Sequence, residues 1–292
     1  MKVFVTGSSS FVGRALLGNC KEKNIDAVGV DIVDDENRNN HICDVRCADV
    51  ADLIPDRADA VIHLAALSRD EDCRNRVYDT FDVNVMGTLN LADAAKRKGV
   101  KQFIFASTEW VYDTYVEGEV KTESSAINAS NHVSEYALSK YVCENALRQS
   151  FQYEECVGTI LRLGIIYGPR ANNWSAVESI FHSIYSQDEV IVGSLRNARR
   201  YIHVDDVASG ILCSLGRKKF EAINLQGNKM ISLAEVIETG SLILGKNPKV
   251  IEKTPNDFSI RGVSSEKAEQ LLDWEAQIGL REGLESVLPF FD

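Results

Sequence analysis

The sequence has no apolar run long enough to cross a bilayer, which takes about 20 consecutive apolar residues. It also lacks internal repeats, low-complexity tracts and flexible linkers, so neither a repeat array nor a string of tethered modules is expected. Positive charge is short. The chain carries 32 Lys and Arg against 43 Asp and Glu, a net charge of -11, whereas a nucleic-acid surface needs clustered cations. No signal peptide is expected, because Met1-Lys2 runs straight into a strand pattern. The seven cysteines are odd in number and scattered through expected core elements. That pattern fits reduced thiols in a cytoplasm better than a disulfide framework. Cys43 and Cys47 have no second Cys or His pair at ligand spacing, so no metal site is expected. In a cytoplasmic chain the sequons Asn128-Ala129-Ser130 and Asn173-Trp174-Ser175 mean nothing.

With 292 residues, 45% of them hydrophobic, the chain has enough apolar surface for a large core. It opens on Lys2-Val3-Phe4-Val5-Thr6, a short run rich in β-branched and aromatic residues. Gly7-Ser8-Ser9-Ser10-Phe11-Val12-Gly13 follows at once, and then the helical pattern Ala15-Leu16-Leu17. A strand, a tight glycine turn and a helix together present helix N-terminal amides to a pyrophosphate. A second apolar run, Ala27 to Val30, ends in Asp31, eighteen residues after Gly13. An acid at that distance accepts hydrogen bonds from an adenine ribose. Asp34, Asp35 and Glu36 come next, with no adjacent arginine. They would repel a 2′-phosphate, so NAD is favoured over NADP.

Val61 to Ala66 and Gln102 to Thr108 read as two further buried strands, with a helical pattern from Asn84 between them. In Ser134-Glu135-Tyr136-Ala137-Leu138-Ser139-Lys140, Tyr136 and Lys140 lie four apart and rise from one helix face. A nearby ammonium favours the phenolate, so the tyrosine's pKa is expected to fall below about 10, towards a value useful for proton transfer. Many helices carry this spacing by chance, and its weight comes from the motifs around it.

Taken in order, these motifs resemble the extended short-chain dehydrogenase/reductase family, in its group of NAD-dependent nucleotide-sugar epimerases, dehydratases and reductases. The matching pieces are Thr6-Gly7 with Gly13, Asp31, Asp44-Val45, His63-Leu64-Ala65-Ala66, Asn84-Val85 with Gly87-Thr88, Ser107-Thr108 before Val111-Tyr112, and Tyr136 with Lys140. Then come Arg162, Tyr167-Gly168-Pro169-Arg170, Arg199 to Val207, and Asn224-Leu225-Gln226-Gly227. The resemblance spans nearly the whole chain. The strand–helix alternation implies an α/β fold, a doubly wound parallel (Rossmann) sheet with a smaller, discontinuous α/β substrate-binding lobe. The cofactor domain is expected over residues 1–167, with 200–222 returning to it, and the lobe over 168–199 and 223–292.

The resemblance implies three catalytic residues. Thr108 would hydrogen-bond the reacting sugar oxygen, Tyr136 would move its proton, and Lys140 would hold the nicotinamide ribose. A plainer role for Thr108 is to cap its own backbone at a strand end. NAD would lie on Gly7, Ser10, Phe11, Val12 and Gly13 at the pyrophosphate and on Asp31 at the ribose. Asp44 and Val45 would bracket the adenine, while Leu64, Ala65 and Ala66 line the way to the nicotinamide. Asn84 is expected to brace the architecture, and His203 to support structure. Glu109, Arg199 and Arg261 fall on the substrate side, with Arg199 on the nucleotide diphosphate, whose oxygens suit a guanidinium fork. For Arg170, and to a degree Arg261, solvation at the surface is the plainer expectation.

Three positions depart from the family pattern. Ser10 replaces the middle glycine of the turn, adding a side chain near the pyrophosphate whose hydroxyl would donate to a phosphate oxygen. Ile165 replaces an asparagine that relatives place beside the substrate phosphates. Glu109-Trp110 replaces the Asp-Glu pair with which dehydratases eliminate water, so that chemistry is not expected. The expected activity is that of an NAD-dependent nucleotide-sugar epimerase, acting by hydride transfer at a sugar carbon, C4, through a keto intermediate. A nucleotide-sugar 4-ketoreductase or dehydrogenase and a uronic-acid decarboxylase are the alternatives. A catalytically silent NAD-binding homologue is the non-enzyme alternative. A homodimer is expected, paired through helices near 84–97 and 136–149, with Leu89, Ala92, Leu138 and Val142 at the seam.

Overall fold

In the computed structural model the described residues are 1–34, 40–112, 114–116 and 118–291. Asp35 and Glu36, two of the acids expected to disfavour a 2′-phosphate, lie outside them. The chain divides into two compact units. The first comprises Met1–Thr114, Ser125–Leu163 and Ala208–Ile223, and the second Tyr115–Ser124, Gly164–Val207 and Asn224–Asp292. The return to the first unit thus begins at Ala208, partway along the helix Val204–Cys213, and not at residue 200. A helix that passes from one unit to the other leaves no break in the sequence pattern to mark the change.

The first unit is built on β1 (Lys2–Thr6), β2 (Asp26–Asp31), β3 (Asn40–Ile42), β4 (Ala60–His63) and β5 (Gln102–Thr108), followed by the strand Val157–Leu163. Together with Glu221–Leu225 they form a seven-stranded sheet, whose order from one edge is β3, β2, β1, β4, β5, Val157–Leu163, Glu221–Leu225. The pairings from β3 through Val157–Leu163 are all parallel. The order reverses at β1, between β2 and β4, which is where a doubly wound Rossmann sheet opens a crevice at its carboxyl ends. β1, β4 and β5 are almost wholly buried because both faces of the sheet are covered, which explains why they read as continuous apolar runs. The run Val61 to Ala66 is strand only to His63, and Leu64 to Ala66 form the loop that leaves it.

Six helices of this unit bear on the site. They are α1 (Phe11–Glu22), α2 (Val50–Leu53), α3 (Asp70–Cys73), α4 (Val77–Phe81), α5 (Gly87–Arg97) and α6 (Glu135–Phe151). Between α4 and α5 lies one π-helical turn, Asp82–Met86, closed by the Gly87 amide on the Asp82 carbonyl five residues back. Leu91, Ala92, Ala94 and Ala95 of α5 and Cys143, Leu147 and Phe151 of α6 pack with Phe103, Phe105 and Ile160 in one core. Ala92 therefore faces its own sheet, and Leu89 and Val142 also pack against this core.

The second unit has its own core, which joins the helix Ala176–Ser186 to the helix Leu233–Leu244. Each begins with a capping box, Ser175 with Glu178 and Ser232 with Glu235. Four short strands form its main sheet, in the order Ile231–Ser232, Ala198–Arg199, Ile260–Val263, Val120–Lys121.

Candidate active site

The glycine turn is shaped by steric demands at two positions. Gly7 has φ +70°, and a Cβ there would stand 2.7 Å from the Ala65 amide nitrogen. At Gly13 a Cβ would meet the Gly7 carbonyl oxygen at 2.2 Å. Only glycine lets β1 turn this sharply into α1, leaving the helix amides at the carboxyl end of the sheet. Ser10 is the N-cap of α1, and its hydroxyl oxygen accepts from the Gly13 amide at 3.1 Å. Its own proton is not used in that bond. The serine therefore replaces the missing glycine with a cap, and one helix amide is already spoken for. The Oγ of Ser8, wholly buried in the same turn, has no hydrogen-bond partner among the described residues.

Asp31 ends β2, with one carboxylate oxygen accepting from the Ser9 amide at 2.9 Å and the other from Val33 at 3.2 Å. These bonds fix its direction, and each oxygen keeps a lone pair for a further donor. Asn40 of β3 donates to the Ser9 hydroxyl at 3.3 Å. Asp44 is gripped by Arg46, which also pairs with Asp82, and the hydrogen bonds from Arg46 hold its carboxyl below the usual range. Asn90 of α5 donates to the carbonyls of Val45 and Cys47, pinning that loop. Phe11 and Val12 open α1, and Leu64, Ala65 and Ala66 leave β4 half-buried, the Ala65 amide on Thr6 Oγ1. A turn that only glycine can make, a fixed carboxylate and an orphaned buried hydroxyl fit a dinucleotide.

Thr108 ends β5, while Tyr136 and Lys140 stand one turn apart on α6. The three come together within the first unit. The Thr108 hydroxyl stands beside the Tyr136 phenol and bears on its proton, and its oxygen accepts from the Trp110 amide at 3.2 Å. It thus plays the plain capping role, from a position beside the phenol. Lys140 donates to the Ala106 carbonyl at 2.7 Å, 4.6 Å from the centroid of the Phe105 ring and 5.9 Å from that of Tyr136. Burial brings its pKa down to about 8, against raising influences from Cys143, Cys73 and Glu144.

The expectation that Lys140 pulls the tyrosine's pKa down is not met. Burial pushes Tyr136 up to about 12, with only the Thr108 hydrogen bond acting the other way. The ammonium faces a carbonyl of β5 instead of the phenol oxygen, so desolvation dominates both groups.

Around this pair the described residues form a buried polar frame that sequence reasoning did not resolve. His63 bridges Thr6 at 2.7 Å and Thr88 at 2.9 Å, joining β1 to α5. Burial, with a lesser push from Lys140, holds its pKa at about 3, so it is neutral. Asn84, in the π-helical turn, bonds both the amide and carbonyl of Leu67 and donates to Ser139 beside Lys140. That is the bracing role expected of it. Ser134 caps α6 and donates to Asp70. Glu144, one turn beyond Lys140, holds Arg162 and Ser107. Its signal was readable, since 136, 140 and 144 share one helical face.

Glu109 follows Thr108 and is buried, and Trp110 is part-exposed. In the second unit, Arg199 and Arg261 are register partners on parallel strands. Arg199 donates to the carbonyls of Ala198 and Ser259, and Arg261 lies over the ring of Tyr115. Arg170 is not simply solvated, because it pairs at 2.7 Å with the fully buried Glu178. Ile165, where relatives carry asparagine, packs against the core of its own unit. His203 is buried on Ser286, as a structural residue would be.

The sequence model of the NAD dependent epimerase/dehydratase family matches residues 3–225. The chain belongs to this family. A UDP-glucuronate 4-epimerase of Thermodesulfobacterium geofontis is 31% identical over 232 residues, covering 77% of this chain and 70% of that protein. A putative UDP-glucose 4-epimerase of Methanocaldococcus jannaschii is 28% identical over 304 residues, 98% of this chain and 97% of that one. Among solved structures, the UDP-glucose 4-epimerase of Thermotoga maritima with UDP-glucose has a TM-score of 0.89 at 23% identity, over 100% of this chain and 98% of that one. At that identity the likeness is one of fold. The resemblance read from the sequence is that of an epimerase/dehydratase family member, and the Rossmann sheet is the family's.

Proposed function

We propose that this epimerase/dehydratase family member is an NAD-dependent epimerase of UDP-hexoses or UDP-hexuronates acting at the sugar C4. The observation that carries the reading is the meeting of Thr108, Tyr136 and Lys140 in the unit that also holds the glycine turn and Asp31. Bound NAD supplies the hydride acceptor, which also gives the hydride back. Tyr136 takes the proton of the sugar hydroxyl and later returns it, while Thr108 holds the phenol oxygen and orients the sugar oxygen. Lys140 exchanges its bond to the Ala106 carbonyl for one to the bound ligand, and its ammonium then lowers the phenol's proton affinity. Gly7, Ser10, Phe11, Val12 and Gly13 hold the pyrophosphate, Asp31 the ribose, Asp44 and Val45 the adenine, and Leu64, Ala65 and Ala66 the passage beyond. Glu109, Arg199 and Arg261 are assigned to the substrate, the arginines to its diphosphate.

Names of relatives also support a second reading. A UDP-glucuronic acid decarboxylase of Arabidopsis thaliana is 26% identical over 97% of this chain. Incubation with NAD and a panel of UDP-sugars, followed by NMR, separates the two. Inversion at C4 supports the epimerase, and conversion of UDP-glucuronate to a pentose with loss of CO₂ replaces it. No turnover of any UDP-sugar refutes both.

A homodimer is part of this reading. Tyr78 of α4 and Met86 of the π-helical turn, 81% and 57% exposed, offer apolar surface to a second copy, whereas Leu89, Ala92 and Val142 are taken up by the chain's own core. Seven free cysteines are in keeping with a cytoplasmic location.

A further inference from the structure

Behind the proton-transfer residues lies a charged cluster that the proposed reaction does not use. Glu144 and Arg162 are both about 4% exposed. Arg162 Nη2 meets Glu144 Oε2 at 2.7 Å, and its Nε lies 3.0 Å from Oε1 and 3.2 Å from Oε2, a two-pronged grip. The hydroxyl of Ser107 donates to Glu144 Oε1 at 2.5 Å. On the other side, Arg162 Nη1 donates to the Tyr112 hydroxyl at 2.9 Å, and the guanidinium lies 5.0 Å from the Tyr112 ring centroid. These four residues come from four places. Ser107 precedes Thr108 on β5, Tyr112 follows the turn that Thr108 caps, Glu144 is one turn past Lys140 on α6, and Arg162 is on the neighbouring strand Val157–Leu163.

Taking two charges out of water is costly, and exchanging such a pair for apolar residues is often neutral or stabilising. The stability of the fold alone is therefore a poor reason for this arrangement. What the cluster does geometrically is specific. It ties Ser107, just before Thr108, directly to the helix that carries Tyr136 and Lys140, and Tyr112, four residues after Thr108, to that helix through Arg162.

We propose that the buried Glu144–Arg162 pair, with Ser107 and Tyr112, is a positioning element that sets the separation of Thr108 from Tyr136 and places a fixed negative charge behind Lys140. The proposal rests on the reading of Thr108, Tyr136 and Lys140 as the proton-transfer residues. None of the four touches the reacting atoms; they act through the residues beside them. The groups that face Lys140 are Tyr136, Cys143 and Glu144 on α6, Cys73 on α3, His63 on β4, and the Ala106 carbonyl and Phe105 ring on β5. His63 is neutral, and burial raises the thiols of Cys73 and Cys143 above their ordinary range. Glu144 is thus the group among them that carries negative charge at neutral pH.

Two mild variants test the geometric half. Ser107→Ala and Tyr112→Phe each remove one hydrogen bond and leave the ion pair in place. Small displacements of reacting groups lower rates by up to roughly 10²-fold. Each variant should therefore lower kcat on the UDP-sugar that the parent turns over, by about tenfold or more, with KM and the calorimetric Kd for NAD unchanged. Parental kcat in both folded variants overturns the proposal.

The electrostatic half is read in the ligand-free protein, by NMR of lysines labelled at 13Cε, with the Lys140 signal assigned by its loss in Lys140→Met. In Glu144→Gln the Lys140 signal should titrate at lower pH than in the parent, and in Ser107→Ala at parental pH. If Glu144→Gln does not fold, the double variant Glu144→Gln, Arg162→Gln, which keeps a neutral amide pair, takes its place. Since this variant removes a nearby positive charge together with the negative one, its test is kcat: a folded double variant with parental kcat overturns the proposal. An unmoved Lys140 titration in folded Glu144→Gln overturns it as well. Should the parent turn over no UDP-sugar, the functional reading fails on its own, and the lysine titration still decides whether Glu144 acts on Lys140.

Discussion

Replacing Lys140 by methionine should abolish turnover and yet make the ligand-free protein more stable at neutral pH. The lysine is 3% exposed, and burial brings its pKa from 10.5 down to about 8. At about 1.4 kcal/mol per pKa unit, keeping this ammonium charged in the folded chain at pH 7 costs on the order of 3 kcal/mol relative to the unfolded chain. Methionine is of similar length, carries no charge and packs well in irregular apolar gaps. The Ala106 carbonyl loses its lysine donor, which takes back roughly 1 kcal/mol. A net gain of about 2 kcal/mol remains, or roughly 3 °C in Tm for a protein of this size.

The pH dependence carries the sign. A lysine whose folded pKa lies below its unfolded value is a burden wherever both states hold the proton. The penalty is full below about pH 8, shrinks as the folded ammonium loses its proton, and is gone above about pH 10.5. Scanning calorimetry of parent and variant across this range should show the Tm difference close towards high pH. A variant that melts below its parent at pH 7, or a difference that is the same at every pH, would refute the reasoning.

Two further outcomes follow from the geometry. Tyr136→Phe removes the hydroxyl that carries the transferable proton, so kcat should fall by roughly 10²–10⁴-fold while calorimetry finds NAD binding intact; near-parental turnover on an identified UDP-sugar contradicts the mechanism. Ser10→Gly exchanges a serine cap for a glycine, a change worth a few tenths of a kcal/mol. Tm and NAD affinity should move only slightly and the reaction stay the same, whereas loss of all activity with the fold intact would count against the role given to Ser10.

The strands and the site residues were legible where local pattern and long-range packing agree. β1 and β5 run over the very residues whose apolar, β-branched character marks them, because a strand buried on both faces has no polar alternation to blur it. The acid at the end of β2 and the tyrosine–lysine pair on α6 were readable from spacing once the motifs around them gave it weight, since helix and strand periods fix which side chains share a face. Other features depend on distant chain segments. The direction of Lys140 is set by the Ala106 carbonyl, thirty-four residues away in sequence, and no spacing rule on α6 reports it. The Ser10 cap was not legible, because its acceptor role depends on the turn's actual backbone. Arg170 looked like a surface residue until Glu178, a buried capping-box carboxylate, was found beside it. Met86 and Tyr78 escaped notice as exposed apolar residues because helical spacing alone placed the seam on Ala92, which the sheet covers.

The π-helical turn at Asp82–Met86 has a consequence for how the chain tolerates change in length. Such a turn holds one residue more than the α-helix on either side of it. Removing a single residue there would let the segment from Val77 to Arg97 wind as one continuous α-helix, with the flanking faces nearly unturned because the wide turn had absorbed the extra residue. Asn84 would swing away from Leu67 and Ser139, although no side chain near Tyr136 had been altered. The width of this one turn therefore carries the brace, and a family member with one residue fewer here would keep both helix faces yet lack the support beside its lysine.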